Sequence, residues 1–577
     1  MHNPNLQLMV YRKGIAETRP EVEGEGAVLK FVSKLESPNY LFLDLEIKPD
    51  AKPGSLTLRF FEKDGQSVSY PYQLRERSAG DMRQQGLNPG DVMYLIMPDR
   101  FANGDPSNDE IPGMFEKPNR SFHGGKHGGD LKGIRDHLDY LQDLGITTLW
   151  LNPVFENNMR RYSYHGYSIT DHYKVDPRLG SLEDYESLVD ECHNRNMKVV
   201  KDMIFNHIGL EHPWMQDLPS ADWIHQWPEF TQTNYTNPTV TDPYISEFDL
   251  RQMVDGWFVR TMPDLNQKNP FLARYLIQNS IWWIEHTGID GIRMDTYPYP
   301  DKQMMAQWVQ EVRAAYPDFY IVGETWLEQP SYEGYWQGGG TPNKDGYDSH
   351  LPSISDFPVY FAARKAFGPE GELFELYKML SQDFVYRDPF LNKIFLDNHD
   401  VDRFFAETGK DLVQYKLAMA FLLTTRGIPQ IFYGTEILMA GTGDHGVIRE
   451  DFPGGWEGDK RNAFTSEGRS DAENEAFDYV RKILQWRKDS RPIAEGQLKH
   501  YLPRDEVYVY ERFTEDESVI VILNNSPNET ILKPVERFKE SFEKYTRATD
   551  LLTGEMVHSP WNMKLPAKSA RILILRD

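Results

Sequence analysis

The chain reads as a (β/α)8 barrel with an inserted domain after its third strand, flanked at both ends by antiparallel β-sandwich domains. Three observations predict this. Between Val92 and Tyr433 eight short apolar runs alternate with segments of helical period, the number that closes a barrel. Outside that span both ends of the chain lose the helical period and read as β alone. Four of the eight runs end in charged clusters, each at its C-terminal tip. An open doubly wound sheet is the competing architecture, and the eightfold count and the overall span favour the barrel.

In chain order, residues 1–88 form the expected N-terminal sandwich. Apolar-rich runs at 27–32, 40–45 and 55–60 are separated by Gly, Pro and Asn, and Asp64-Gly65 is a hairpin signal. A polar segment, 75–91, links it to the barrel, placed at 89–492. The barrel strands are read at 92–97, 148–153, 198–204, 289–294, 320–324, 353–355, 393–397 and 428–433. One helix is expected from Leu131, with Ile134, Leu138 and Leu141 on one face and Gly145 closing it. Others are expected from Ser181, from Asn269-Pro270 to Gly288, and near 304–315, 373–380 and 412–424. Residues from 208 to about 265 are rich in Trp, Pro, Asn and Asp without a clear helical period, so they form the inserted domain, overhanging the C-terminal face. From 493 to 577 the chain returns to β, in runs such as 506–510, 518–523 and 570–575.

Composition narrows the function. With 63 basic against 88 acidic side chains the formal charge is −25, which repels phosphate backbones and argues against nucleic-acid binding. Aromatics make up 13%, a richness that suits stacking on sugar rings. The single cysteine, Cys192, excludes an intrachain disulfide and leaves the compartment open. No apolar run approaches the ~20 residues a membrane helix needs, so no membrane partner is expected. No secretory signal is visible, because a strand-like pattern begins at once in 5–11. A soluble protein of the cytoplasm, or of the periplasm after trimming of a precursor, fits equally.

The chemistry lies at the strand ends, where barrels of this kind carry their catalytic groups. The third strand ends in Asp202-Met203-Ile204-Phe205-Asn206-His207. The fourth ends in Gly291-Ile292-Arg293-Met294-Asp295, the fifth in Glu324 and the seventh in Asn398-His399-Asp400. A lone carboxylate at a strand end is usually a cap or turn former; four clusters in this order are not readily turn chemistry. Together with Met262-Pro263-Asp264-Leu265-Asn266 near the end of the insertion, these segments resemble the motifs of the α-amylase family of glycoside hydrolases, from Val92 to the end of the chain.

The resemblance implies a retaining glycosidase, whose two carboxyl groups stand about 5–5.5 Å apart. Asp295 would be the nucleophile, kept ionised by Arg293. Glu324 would be the general acid and base, its pKa raised by neighbouring Asp400. Asp400 would hold sugar hydroxyls and stabilise the distorted transition state. His207 and His399 would donate hydrogen bonds to the sugar, although a lone His is more often a satisfied core residue. Tyr164-His165-Gly166-Tyr167 resembles the family's segment after strand two, with Tyr167 as the platform under the sugar and His165 as a hydroxyl contact. Arg403 matches a sugar-contacting arginine, against a structural salt bridge as the alternative.

Asn103-Gly104-Asp105-Pro106-Ser107-Asn108-Asp109 is dense in oxygen donors, and Gly128-Gly129-Asp130 follows it. Such donors suit Ca²⁺. The alternative is a turn, with Asp130 capping the helix at Leu131. The spacing resembles the structural calcium site of cyclomaltodextrinase and neopullulanase relatives, which would make Asn103, Asp105, Asn108, Asp109, the Gly128 carbonyl and Asp130 the ligands. The N-terminal sandwich, Trp326 two residues after Glu324, and the 262–266 segment point to that same group. Its members hydrolyse cyclodextrins, malto-oligosaccharides and pullulan, so the expected activity is a cyclomaltodextrinase. A neopullulanase or maltogenic amylase with transglycosylation is the alternative. The chain departs from the group at Thr325 and at Thr296-Tyr297-Pro298-Tyr299, which leaves linkage preference open. The N-terminal region looks shorter than in dimer-forming members, which leaves a homo-oligomer open. A noncatalytic carbohydrate-binding barrel would have lost one of Asp295, Glu324 or Asp400, and all three are present.

Overall fold

The structure, a computed structural model, describes residues 3–77, 83–340, 342–369, 371–532, 535–558 and 563–576. Part of the 75–91 linker lies outside the described residues. Eight parallel strands run β1 Met93–Ile96, β2 Thr148–Leu151, β3 Lys198–Met203, β4 Gly291–Met294, β5 Tyr320–Gly323, β6 Ser353–Ile354, β7 Lys393–Phe395 and β8 Ile428–Phe432. Each pairs with the next except β6 with β7, and β8 pairs with β1. The remaining gap, between β6 and β7, is closed by a single bridge from Ser355 to Lys393. The barrel expectation holds. Its strands are nearly continuous apolar runs because both faces are covered, and every residue of β1, β2, β4 and β5 is buried.

Local chemistry sets the helix ends. Ser181 and Asp184 form a capping box for Leu182–Asn194. Asn269 accepts from the Phe271 and Leu272 amides to start Pro270–Thr287, which Gly288 ends at φ 76°. Three expectations are corrected. The helix read from Leu131 is two, Leu131–Asp136 and Leu138–Leu144, broken at His137; its side chain reaches back to the Gly133 carbonyl at 2.7 Å. The inserted segment contains a helix after all, Glu247–Asp255, capped by Ser246. A helix after β6, Phe357–Phe367, escaped the reading; Asp356 caps it and Pro358 occupies its first turn.

Two three-stranded antiparallel sheets lie N-terminal to the barrel. They meet it where Gln7 and Gln278 exchange backbone and side-chain hydrogen bonds, and where Ser37 and Asn39 donate to Asp217 of the insertion. A six-stranded antiparallel sheet and a two-stranded one follow the barrel. The insertion folds back onto β3: the His207 backbone bridges to Asp264, and the Leu265 amide donates to the Asn206 carbonyl at 2.8 Å. That return fixes residues 262–266 beside the strand end that carries Asp202.

Candidate active site

Strand register builds the first part of the site. Asp202 and Arg293 are cross-strand neighbours on β3 and β4, and alternation brings Asp295 to the same side as Arg293. Arg293 Nη1 donates to Asp202 Oδ1 at 2.9 Å and Asp295 Oδ1 at 2.7 Å. Its Nη2 lies 2.7 Å from Glu324 Oε1 at the end of β5. One guanidinium therefore serves three buried carboxylates, not Asp295 alone as the sequence suggested. Burial pushes the Asp295 carboxyl well above its usual range; Arg293 opposes the rise, and Glu324 and Asp202 add to it. Asp202 is pushed up to about 6 by burial, against Arg293 and the donors Tyr167 and Trp150.

Thr296 ties the two outer carboxylates together. Its amide donates to Glu324 Oε2 at 2.9 Å and its hydroxyl to Asp295 Oδ2 at 3.2 Å. Its φ is +43°, a costly conformation for a β-branched residue. The neighbouring departure is also accounted for, since the Thr325 hydroxyl bonds Glu333, whose other oxygen accepts from the Leu327 amide. Trp326, at φ +42°, stacks on Phe357 with ring centroids 4.7 Å apart.

The Asp400 side of the site is built differently. Arg449 Nη2 donates to Asp400 Oδ1 at 2.7 Å, and His399 Nε2 lies 3.0 Å from its other oxygen. Despite burial, His399, Arg449 and His445 hold the Asp400 carboxyl well below its usual range. Asp400 is thus held ionised, with Arg449 as its full cation. Arg449, which also donates to the His399 carbonyl and the Tyr164 hydroxyl, escaped the sequence reading. It follows β8 in a loop without a recognisable motif.

Tyr167 joins the halves. Its ring lies parallel to that of His399, with centroids 5.4 Å apart. Its hydroxyl donates to Asp202 at 2.9 Å, accepts from Asn152 at 2.7 Å and lies 2.6 Å from His399 Nε2. His165 Nδ1 accepts from the Tyr167 amide. Burial pulls His165 and His207 down to about 3, so both are neutral. His207 Nε2 and His399 Nδ1 are buried and have no partner among the described residues, a state suited to receiving sugar hydroxyls. Arg403 is corrected. It is fully buried, donates to the Ile448 and Tyr433 carbonyls and lies over the Phe432 ring, so it braces the wall behind the site.

The oxygen-rich loop gathers around Asp130 and Asp109, Asp105 excepted. Asp130 accepts from the Gly104, Asp105 and Gly133 amides and from Asn108 Nδ2. It therefore caps its helix and holds the loop together. Asn103 Nδ2 donates to Asp109. Asn103 Oδ1 and Asn108 Oδ1 remain buried without partners among the described residues, and Asp109 is pushed up to about 6, chiefly by burial and then by Asp130 and Asp99. Orphaned oxygens beside two carboxylates short of a cation fit a hard metal ion. Among the described residues no three His, Cys, Asp or Glu converge, so such a site would depend on the asparagines. Asp105 is the exception, since one of its oxygens accepts from the Ser107 amide and hydroxyl. Gly128, at φ +90°, has no room for a Cβ, which would lie 2.4 Å from Asp109 Oδ1.

A parallel barrel with paired carboxylates at its strand ends, beside neutral histidines and a fixed tyrosine, defines a glycosidase. The chain belongs to the α-amylase family: the model of the α-amylase catalytic domain matches residues 95–519. Models of the cyclomaltodextrinase N-terminal and C-terminal domains match 1–78 and 498–574. The chain is 30% identical over 476 residues to the β/α-amylase of Paenibacillus polymyxa, covering 81% of this chain and 36% of that protein. It thus spans little more than a third of that relative's length. Neopullulanase 2 of Thermoactinomyces vulgaris is 31% identical over 81% of this chain and 74% of its own. The α-amylase of Geobacillus thermoleovorans, solved in complex with acarbose, superposes with a TM-score of 0.70 at 31% identity, covering 85% of this chain and 99% of its own. The protein is therefore a cyclomaltodextrinase-like glycosidase of the α-amylase family.

Proposed function

We propose that the protein is a retaining hydrolase of α-1,4-glucosidic bonds in cyclodextrins and short malto-oligosaccharides. The observation that carries this reading is the Arg293 guanidinium joined at once to Asp295 and Glu324, with Thr296 bridging the same two groups. A shared cation makes ionisation of one carboxyl and protonation of the other the favoured state, because two ionised neighbours repel. Asp295 attacks the anomeric carbon through Oδ2, the oxygen Arg293 leaves free. Glu324 protonates the leaving oxygen, then removes a proton from the water that releases the sugar. Asp400, kept charged by Arg449, binds hydroxyls of the distorted ring. His165, His207 and His399, all neutral, contact other hydroxyls, and Tyr167 lies under the sugar.

The cyclomaltodextrinase models at both ends support cyclodextrins as substrates. Pullulan hydrolysis and transfer to a sugar acceptor would use the same residues, and the neopullulanase relative favours testing them. Asn103, Asn108, Asp109, Asp130 and the Gly128 carbonyl would hold Ca²⁺, whose charge would neutralise Asp109 and Asp130 and stiffen the loop between β1 and the Leu131 helix. Products and rates on γ-cyclodextrin, pullulan and soluble starch, measured side by side, test the assignment. γ-Cyclodextrin is expected to be cleaved fastest; preference for starch would overturn the cyclodextrin assignment.

A further inference from the structure

Lys393 opens β7 and is 2% exposed. A lysine so placed cannot extend its amine to water, and burying an ammonium is costly unless its charge is used. Aromatic rings receive it: Nζ lies 4.4 Å from the centroid of the Trp150 ring and 4.9 Å from that of Phe395. The same Trp150 ring has Arg293 Cζ at 5.3 Å, and its Nε1 donates to Asp202 Oδ2 at 3.1 Å. Two buried cations thus share one indole, and that indole is hydrogen-bonded to the carboxylate cluster.

The charge count at the cluster gives the lysine a purpose. With Asp202, Asp295 and Glu324 all ionised, Arg293 leaves two negative charges uncompensated. A charged Lys393 leaves one, which a single proton on the general acid removes. We propose that Lys393 is a second buried countercharge of the carboxylate cluster, a positioning residue that acts through Trp150 and the barrel interior to hold the nucleophile–acid pair at one proton. This rests on the reading of Asp295 and Glu324 as that pair. Burial, then Arg293 from β4, pulls the Lys393 ammonium down to about 7; Glu324 from β5, Asp202 from β3 and Asp400 after β7 pull it up. His399 faces the same interior and is held neutral there, mainly by burial.

The test compares pH profiles of kcat/KM on γ-cyclodextrin for wild type and Lys393→Met, with Lys393→Gln as the alternative if the first variant is not folded. Loss of the charge makes each nearby carboxyl harder to ionise, so both limbs move to higher pH by about half a unit or more. A fall in activity with both limbs unmoved would overturn the proposal, since a packing role predicts that result. A second measurement needs no activity. Lys393 is depressed below the unfolded lysine value of about 10.4. Its charge therefore destabilises the fold fully below about 7, and that penalty is relieved as pH rises toward about 10. Wild-type Tm should gain on that of Lys393→Met across this window. A gain that already sets in below about pH 5 would mean that the amine is neutral in the working enzyme, and would overturn the countercharge. An inactive wild type, or an active Asp295→Asn, would instead refute the catalytic reading and leave this second measurement standing.

Discussion

The two halves of the site treat their carboxylates in opposite ways. Around Arg293 three carboxylates share one guanidinium, and burial drives Asp295 and Asp202 up. Around Asp400 a single carboxylate has Arg449 and His399 to itself and is driven down. Both halves lie at the same end of one barrel, and Asp400 is only somewhat more open than Asp295 and Glu324, so desolvation alone does not explain shifts of opposite sign. The ratio of cations to carboxylates does. A surplus of carboxylates makes a place that holds and releases a proton, as acid–base chemistry requires. A surplus of donors makes a charge that stays fixed through the cycle. The loop of Asp109 and Asp130 extends the comparison, with two carboxylates and, among the described residues, no cation in salt-bridge contact with either, Lys126 acting on Asp109 only from a distance.

The sharpest way to break the contrast is to remove its first half. Asp295→Asn should lower γ-cyclodextrin turnover by on the order of 10³-fold or more, as loss of a nucleophile does, with a Tm no lower than wild type because one repelling charge is gone. Initial rates by reducing-sugar release check the first expectation and calorimetry the second. Arg449→Leu attacks the other half. It leaves Asp400 with histidine alone, and orphaning one partner of a buried pair costs roughly 3–5 kcal/mol. The expected result is a fall in kcat/KM of roughly 10²-fold with an acid limb moved to higher pH, because Asp400 loses the cation that keeps it charged. An unmoved limb would show that Arg449 only packs.

How much of this was legible follows from which contacts are local. Arg293 and Asp295 are two residues apart on a strand, so alternation alone places them together. The Asp202–Arg293 pair needed the β3–β4 register, which apolar runs do not fix. Arg449 lies 49 residues beyond Asp400 in a loop whose sequence carries no periodic signal, and only the folded chain reveals it. Arg403 matched a motif by spacing, yet its guanidinium turns into the wall, because spacing says nothing about direction. Lys393 was read only as the first residue of the strand at 393–397. The Phe357–Phe367 helix was missed because its aromatics and Pro358 read as irregular, although Asp356 with Pro358 is a helix start. Thr296 was marked as a departure, but its bridging role depends on a φ of +43° that composition does not announce.

Thr296→Val removes the hydroxyl that binds Asp295 Oδ2 while keeping the side-chain shape. A hydrogen bond to a charged group contributes about 1.5–3 kcal/mol. If part of it is realised only in the transition state, kcat falls about tenfold with KM little changed. Thr296→Ser should restore most of the loss, and equal losses in both variants would assign the effect to packing or to backbone strain instead. This is a smaller effect than loss of either cation, since Arg293 still holds Oδ1.

The smallest effect expected is calcium's. A carboxyl must lose its proton to bind a metal, and Asp109 is held near 6 without one. Below that value each unit of acid costs up to about tenfold in apparent affinity, and above it the affinity levels off. Added Ca²⁺ should therefore raise Tm more at pH 7 than at pH 5 for the same total concentration, and chelation should lower it in the same order. Asn103→Ala, which removes one of the orphaned oxygens, should reduce the increment between chelator and Ca²⁺ at both values, beyond any fall of the Tm in chelator from loss of its hydrogen bond to Asp109. A Ca²⁺ effect equal at the two pH values would mean that Asp109 is not a ligand. In that case the loop is held by its own hydrogen bonds, and its two carboxylates belong with Asp202 as groups that burial makes harder to ionise.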